Sequence, residues 1–297
     1  MNRELAKLQG SFVALVTPFG EDGQVDEAAL RALVDWHAEC GTDGIVPCGT
    51  TGESATLSHA EHEAVIRIVI EQAGDRMAVL AGTGSNATWE AIDMTRAAER
   101  LGATATLQIT PYYNKPTQEG LYRHFKAVAE ATALPVILYN VPSRTAVNLL
   151  PETVARLRAL KNVVGIKEAC GDLKQIARLR ELCGEDFMIF SGEDAQNDDI
   201  MALGGRGIIS VTANVIPRQL ATFCQLMLEG RQDEARTLHK ELMPLHRVMF
   251  LETNPIPVKT ALAMMGRCRE DLRLPLSPLA DDNRVILQTT LKEFGLL

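Results

Sequence analysis

The chain has 297 residues, room for one α/β barrel with an appended segment, and its 46% hydrophobic and 23% charged content is that of an ordinary globular enzyme. A formal net charge of −8, from 38 acidic and 30 basic side chains, excludes the basic surface that a nucleic-acid partner requires. No cationic amphipathic run addresses a membrane surface, no stretch nears spanning length and residues 1–10 hold no apolar signal core, so the expected location is the cytoplasm.

Apolar runs at 12–16, 44–47, 77–81, 105–109, 135–139, 163–167, 187–190 and 207–211 read as strands. Between them lie segments with helical periodicity, as at 26–39, 58–72, 88–101 and 118–131, where Asp26, Ser58 and Thr88 stand as capping residues. Eight β/α units in series favour a closed parallel barrel over an open doubly wound sheet, although periodicity alone fits both. From about 217 to 297 strand signals stop and the chain looks helical, including 231–245 and 284–294. The expected organisation is a (β/α)8 TIM barrel over 1–229 with a C-terminal helical appendage over 230–297. Cys40, Cys48, Cys170, Cys183, Cys224 and Cys268 include no C-x-x-C pair, which fits reduced thiols.

Barrel enzymes build their sites at the C-terminal strand ends. There the chain carries Thr50 and Thr51 in C-G-T-T-G-E-S, Tyr112 and Tyr113 in T-P-Y-Y-N, and Tyr139 and Arg144 in I-L-Y-N-V-P-S-R-T. Lys167 in V-V-G-I-K-E-A and Ser191 with Gly192 complete the rim. An amine capping an apolar strand is desolvated, which favours the neutral nucleophile. An ion pair with neighbouring Glu168 is the structural alternative, and Lys259 in P-I-P-V-K, beyond the eight units, reads as structural. The G-T-T-G turn suits a small carboxylate or is an ordinary capped turn; the tyrosines could be core-edge groups and Arg144 a solvated one.

Two motifs compete. Residues 81–87, A-G-T-G-S-N-A, fit G-x-G-x-x-A between strand and helix, but no acid ends the next strand and the match falls in the third unit. His59 and His62 form H-x-x-H without the H-E-x-x-H pattern or a third ligand; they read as surface or subunit-contact histidines, and no metal is expected.

The ordered motifs G-T-T-G-E, P-Y-Y-N, Y-N-V-P-S-R-T, G-I-K-E-A, S-G-E-D and N-P-I-P-V-K resemble the dihydrodipicolinate synthase family over essentially the whole chain, from Phe12 to Leu297. The resemblance implies a hydro-lyase of the class I aldolase type. It would condense pyruvate with L-aspartate 4-semialdehyde on the diaminopimelate route to lysine, without cofactor or metal. It implies that Lys167 forms the Schiff base and that Tyr139 exchanges protons through Thr50 with Tyr113 of a neighbouring subunit. Thr51 would bind the pyruvate carboxylate with the main chain near Gly192 and Ile209, and Arg144 the semialdehyde carboxylate. N-acetylneuraminate lyase and the keto-acid sugar aldolases are the sibling alternative, and V-P-S-R-T speaks for the synthase.

By the same resemblance the chain is a homotetramer. L-lysine is its feedback inhibitor, held between subunits by Ser54, Ala55, His59, His62, Asn86, Glu90 and Tyr112. Cys48, Cys170 and Trp89 depart from the pattern, with Cys170 read as an inert packed thiol. A catalytically silent relative would have no physical need to keep Lys167, Tyr139, Thr50, Tyr113 and Arg144 together.

Overall fold

The computed structural model describes residues 5–297. The first four residues of the expected 1–229 unit, which also begin the segment read as lacking a signal core, lie outside the described residues.

The chain runs β1 (Gly10–Ala14), α1 (Glu27–Glu39), β2 (Gly44–Val46), α2 (His59–Ala73), β3 (Ala78–Gly82), α3 (Thr88–Leu101), β4 (Ala105–Ile109) and α4 (Gln118–Glu130). It continues with β5 (Val136–Asn140), α5 (Pro142–Thr145), α6 (Pro151–Leu157), β6 (Val163–Glu168), α7 (Leu173–Cys183), β7 (Met188–Ser191), α8 (Asn197–Ala202) and β8 (Gly207–Ser210). Helices α9 (Pro217–Leu228), α10 (Gln232–Val248), α11 (Ile256–Met264) and α12 (Asp281–Glu293) follow. All eight strands pair in parallel with their sequence neighbours, and β8 returns to β1, closing the barrel.

Strand alternation sorts the side chains. Phe12, Val46, Leu80, Leu107, Ile137, Tyr139, Phe190 and Ile209 share the inner core, where the Phe12 and Phe190 rings meet edge-on at 5.5 Å. The other parity faces the helices, whose apolar stripes form the outer core with residues such as Ile45, Val79 and Ile208. This two-sided burial explains the near-continuous apolar strands.

The predicted caps at Asp26 and Ser58 accept from Ala29 and Glu61 backbone amides, and Glu61 completes a capping box. Thr88 departs from expectation. It is the first helical residue of α3, after an Ala87 cap with no side-chain bond, and its hydroxyl bonds instead to His124 Nδ1 at 2.9 Å. The first strand also lies two residues earlier than the apolar run suggested. Leu15 and Val16 are buried but past the ladder, so burial outlasts pairing there.

Helix α11 falls within the segment expected to be helical, which set no bounds for it. It begins beside Pro255 and holds Pro257 in its first turn, where a missing N–H leaves no intrahelical bond unmade. Helix α12 packs on both α10 and α11, and α10 also contacts α8 and α9 of the barrel. Among the described residues no helix is long and apolar enough to cross a membrane.

Candidate active site

At the C-terminal ends of the strands, a cavity of about 160 Å³ is lined by Thr50, Thr51, Tyr139, Arg144, Lys167, Gly192, Glu193 and Asn254, among others. Lys167 and Tyr139 reach it from adjacent strands, where they are partners in the β5–β6 register. Equal parity sends both inward, and the Lys167 Nζ lies 4.3 Å from the centroid of the Tyr139 ring. Only 6% of Lys167 is exposed. Burial brings its pKa down to about 8, opposed by Asp194 and Glu193 and aided by Arg144. Burial raises the Tyr139 phenol, tempered by the Thr50 side chain and Arg144.

The alternative pairing with Glu168 does not form. Glu168 has the opposite parity and points between sheet and helices, accepting from Asn140 Nδ2 at 2.9 Å, Cys170 N–H at 3.0 Å and Gln175 Nε2 at 3.2 Å. Desolvation raises it to about 7. Gly192 is needed where it stands: a Cβ there would lie 2.8 Å from Lys167 Cε.

The turn after β2 is backbone-strained, with Cys48 and Glu53 both at φ +54°. It is braced by the C-terminal region: Asn254 Nδ2 donates to the Thr51 hydroxyl at 3.0 Å, and Lys259 forms a buried pair with Glu53 at 2.6 Å. Lys259 is therefore bound into structure, as its position suggested. Arg144 donates to the Asn254 carbonyl at 2.7 Å, so one loop holds both Thr51 and Arg144. Asn254, Glu193 and Phe250 line the cavity, and none was singled out from sequence. The motifs N-P-I-P-V-K and S-G-E-D carried the first two, without a barrel position to mark them.

Ile209 is buried in β8 in register with Phe12 and does not line the cavity. Tyr113 is also outside it, at φ +74° and 89% exposed in the single chain.

A larger cleft of about 440 Å³ adjoins, sharing Thr50, Tyr139 and Arg144 and adding Ser54, Ala55, His59, His62, Glu90 and Tyr112. Asn86 is not in its lining but donates to the Tyr112 carbonyl at 3.2 Å. His59 Nε2 pairs with Glu90 at 2.8 Å, and Ser85 donates to the same carboxylate. His62 is not a surface residue: it is buried, with Nε2 at 2.7 Å from the Gly82 carbonyl. The two rings of H-x-x-H thus engage different partners.

Residues 81–87 offer no open phosphate cradle. A Cβ at Gly84 would lie 2.4 Å from Ile109 N, so the turn is packed against β4, and the Glu90 carboxylate occupies the first turn of α3. The Cys170 thiol is pushed up to about 12 by burial and by Glu168, which disfavours its thiolate.

A closed β/α barrel with a desolvated lysine facing a tyrosine at its C-terminal rim defines the aldolase-type lyases. Residues 7–294 match the model of the Dihydrodipicolinate synthetase family. A 4-hydroxy-tetrahydrodipicolinate synthase of Geotalea uraniireducens is 56% identical over 97% of this chain and 99% of its own. A dihydrodipicolinate synthase of Acinetobacter baumannii, solved with pyruvate, superposes with TM-score 0.96 at 49% identity, over 98% of this chain and 100% of its own. One from Cyanidioschyzon merolae, solved with lysine bound, gives 0.95 at 39% identity, over 98% and 99%. The chain belongs to the dihydrodipicolinate synthetase family. Its activity is that of a 4-hydroxy-tetrahydrodipicolinate synthase, a hydro-lyase of lysine biosynthesis, which sets aside the neuraminate-lyase alternative.

Proposed function

We propose that Lys167 joins pyruvate as a Schiff base, and that the resulting enamine attacks L-aspartate 4-semialdehyde. The observation that carries this reading is the buried amine above Tyr139, whose lowered pKa leaves about a tenth neutral at pH 7. An ordinary lysine would leave about one in several thousand. The neutral amine adds to the keto carbon, the oxygen leaves as water after gaining two protons, and a cationic imine remains. That cation withdraws electrons from the methyl group, which loses a proton to give the enamine. The enamine carbon then bonds to the aldehyde carbon.

Tyr139 is the proton donor and acceptor, with Thr50 beside it and Tyr113 entering from a neighbouring subunit. The exposure of Tyr113 in the single chain supports that arrangement. Thr51 and the main chain near Gly192 receive the pyruvate carboxylate, and Arg144 that of the semialdehyde. Arg144 lines both cavities, which suits a second substrate entering over the first.

L-lysine acts at the larger cleft, where Ser54, Ala55, His59, His62, Glu90 and Tyr112 lie with Asn86 behind Tyr112. The lysine-bound relative supports this reading. The protein works as a cytoplasmic homotetramer.

Borohydride reduction with pyruvate, followed by peptide mass mapping, tests the central claim. A mass increment on Lys167 is expected, and Lys167→Arg should lose at least roughly 1,000-fold in turnover. An increment on any other lysine, or turnover retained in that variant, overturns the assignment.

A further inference from the structure

Among the described residues that line the small cavity, Lys167 and Arg144 carry basic side chains and only Glu193 carries a carboxyl group. The adjoining cleft has two other acids, and both are committed: Glu53 to Lys259 at 2.6 Å and Glu90 to His59 at 2.8 Å. The reaction steps above leave Glu193 unused.

The turn after β7 sets Glu193 in place through its backbone. A Cβ at Gly192 would meet Lys167 Cε at 2.8 Å and Cγ at 3.0 Å, so the main chain just before Glu193 lies against the lysine stem. The Ser191 hydroxyl accepts from the Glu193 N–H at 3.3 Å and donates to its carbonyl at 3.1 Å, and the Gln196 N–H donates to the same carbonyl at 2.9 Å. The carboxyl group itself, half-buried, meets no side-chain donor within hydrogen-bond distance among the described residues. Burial and then repulsion from Asp194 raise it, and the Ala195 amide and Lys167 offset this only in part. An acid raised in this way lacks nearby positive charge, which a cationic ligand would supply.

L-aspartate 4-semialdehyde brings three groups into the site. The enamine takes its aldehyde carbon and Arg144 its carboxylate, which leaves an ammonium to be received. An ammonium taken out of water is costly without an acceptor, and a carboxylate gives it a bond about twice as strong as a neutral oxygen does. We propose that Glu193 receives the α-ammonium of L-aspartate 4-semialdehyde, and is the residue by which the enzyme prefers an amino-acid aldehyde to an aldehyde acid without the amine. The inference rests on the reading that Arg144 holds the carboxylate of that substrate. Carboxylate and ammonium leave the same carbon, so two residues of opposite charge lining one cavity match the two ends of that head group.

Succinate semialdehyde, the same chain without the amine, is the probe, used as an inhibitor of the full-length protein. Glu193→Gln keeps the shape of the side chain and removes its charge. It should lower kcat/KM for L-aspartate 4-semialdehyde by roughly 10- to 100-fold, the worth of one hydrogen bond to a charged group. The inhibition constant of succinate semialdehyde and the KM of pyruvate should change little, and Glu193→Asp should lose less than Glu193→Gln. Glu193→Ala carries the same test if Glu193→Gln does not fold. Equal weakening of both aldehydes marks a general electrostatic or structural role and overturns the proposal, as does undiminished kcat/KM in Glu193→Gln. Arg144→Gln should weaken both aldehydes alike; inhibition by succinate semialdehyde that survives that substitution removes the carboxylate reading instead.

Discussion

Gly192 and Lys167 show how finely the site depends on single atoms. A methyl group at Gly192 would intrude to 2.8 Å of Lys167 Cε and must push the amine aside. Misplacement by about 1 Å costs about 100-fold in rate, so Gly192→Ala should lose kcat on that scale with its thermal unfolding midpoint nearly unchanged. Steady-state kinetics beside a melting curve check both. The acid limb of kcat/KM for pyruvate should have its midpoint near the amine pKa of about 8, since activity follows the neutral form and rises with pH through that value.

At this scale the unusual residues at strand ends were largely readable: Lys167, Tyr139, Thr51, Arg144 and Gly192 meet in one cavity, whereas Tyr113 lies outside it. Asp194 and Glu193 were harder to see. Acids are common after strands, and only the fold shows Asp194 buried and Glu193 half-buried at the cavity.

Among elements, the buried pair of Glu53 and Lys259 ties α11 to the strained turn after β2, with Lys259 also 4.0 Å above the Phe19 ring. Glu53 accepts in addition from the Arg273 N–H at 3.1 Å. Removing one charge strands the other in a dry site, so Lys259→Met should destabilise the fold by about 3–5 kcal/mol. Adding Glu53→Gln to it should recover part of that loss, and denaturant titrations of the two variants decide. Equal stabilities would show that the pair contributes little.

The strands were legible from apolar runs, because both faces of a barrel strand are buried. Their ends were less so, as β1 shows, since Leu15 and Val16 stay buried beyond the ladder. Both prolines at the start of α11 are compatible with a helix entry.

For the whole molecule, the count of eight β/α units pointed to the closed barrel, because an open sheet rarely carries so many. Subunit assembly leaves no such periodic trace, and Tyr113 tests it. If Tyr113 serves a neighbour's site, Tyr113→Phe and Lys167→Ala chains refolded together should regain activity that neither homo-oligomer has. One site of each mixed pair is then intact, giving roughly a quarter of wild-type turnover. Activity measured after mixing settles the matter, and none regained would place Tyr113 in its own subunit's site.

The segment after the barrel circuit delivers Asn254 to Thr51, its carbonyl to Arg144 and Lys259 to Glu53. A premature stop codon near position 250 would therefore not yield a trimmed but working catalyst. It would leave the strained turn after β2 without its brace, so nonsense mutations late in the gene should behave as null alleles.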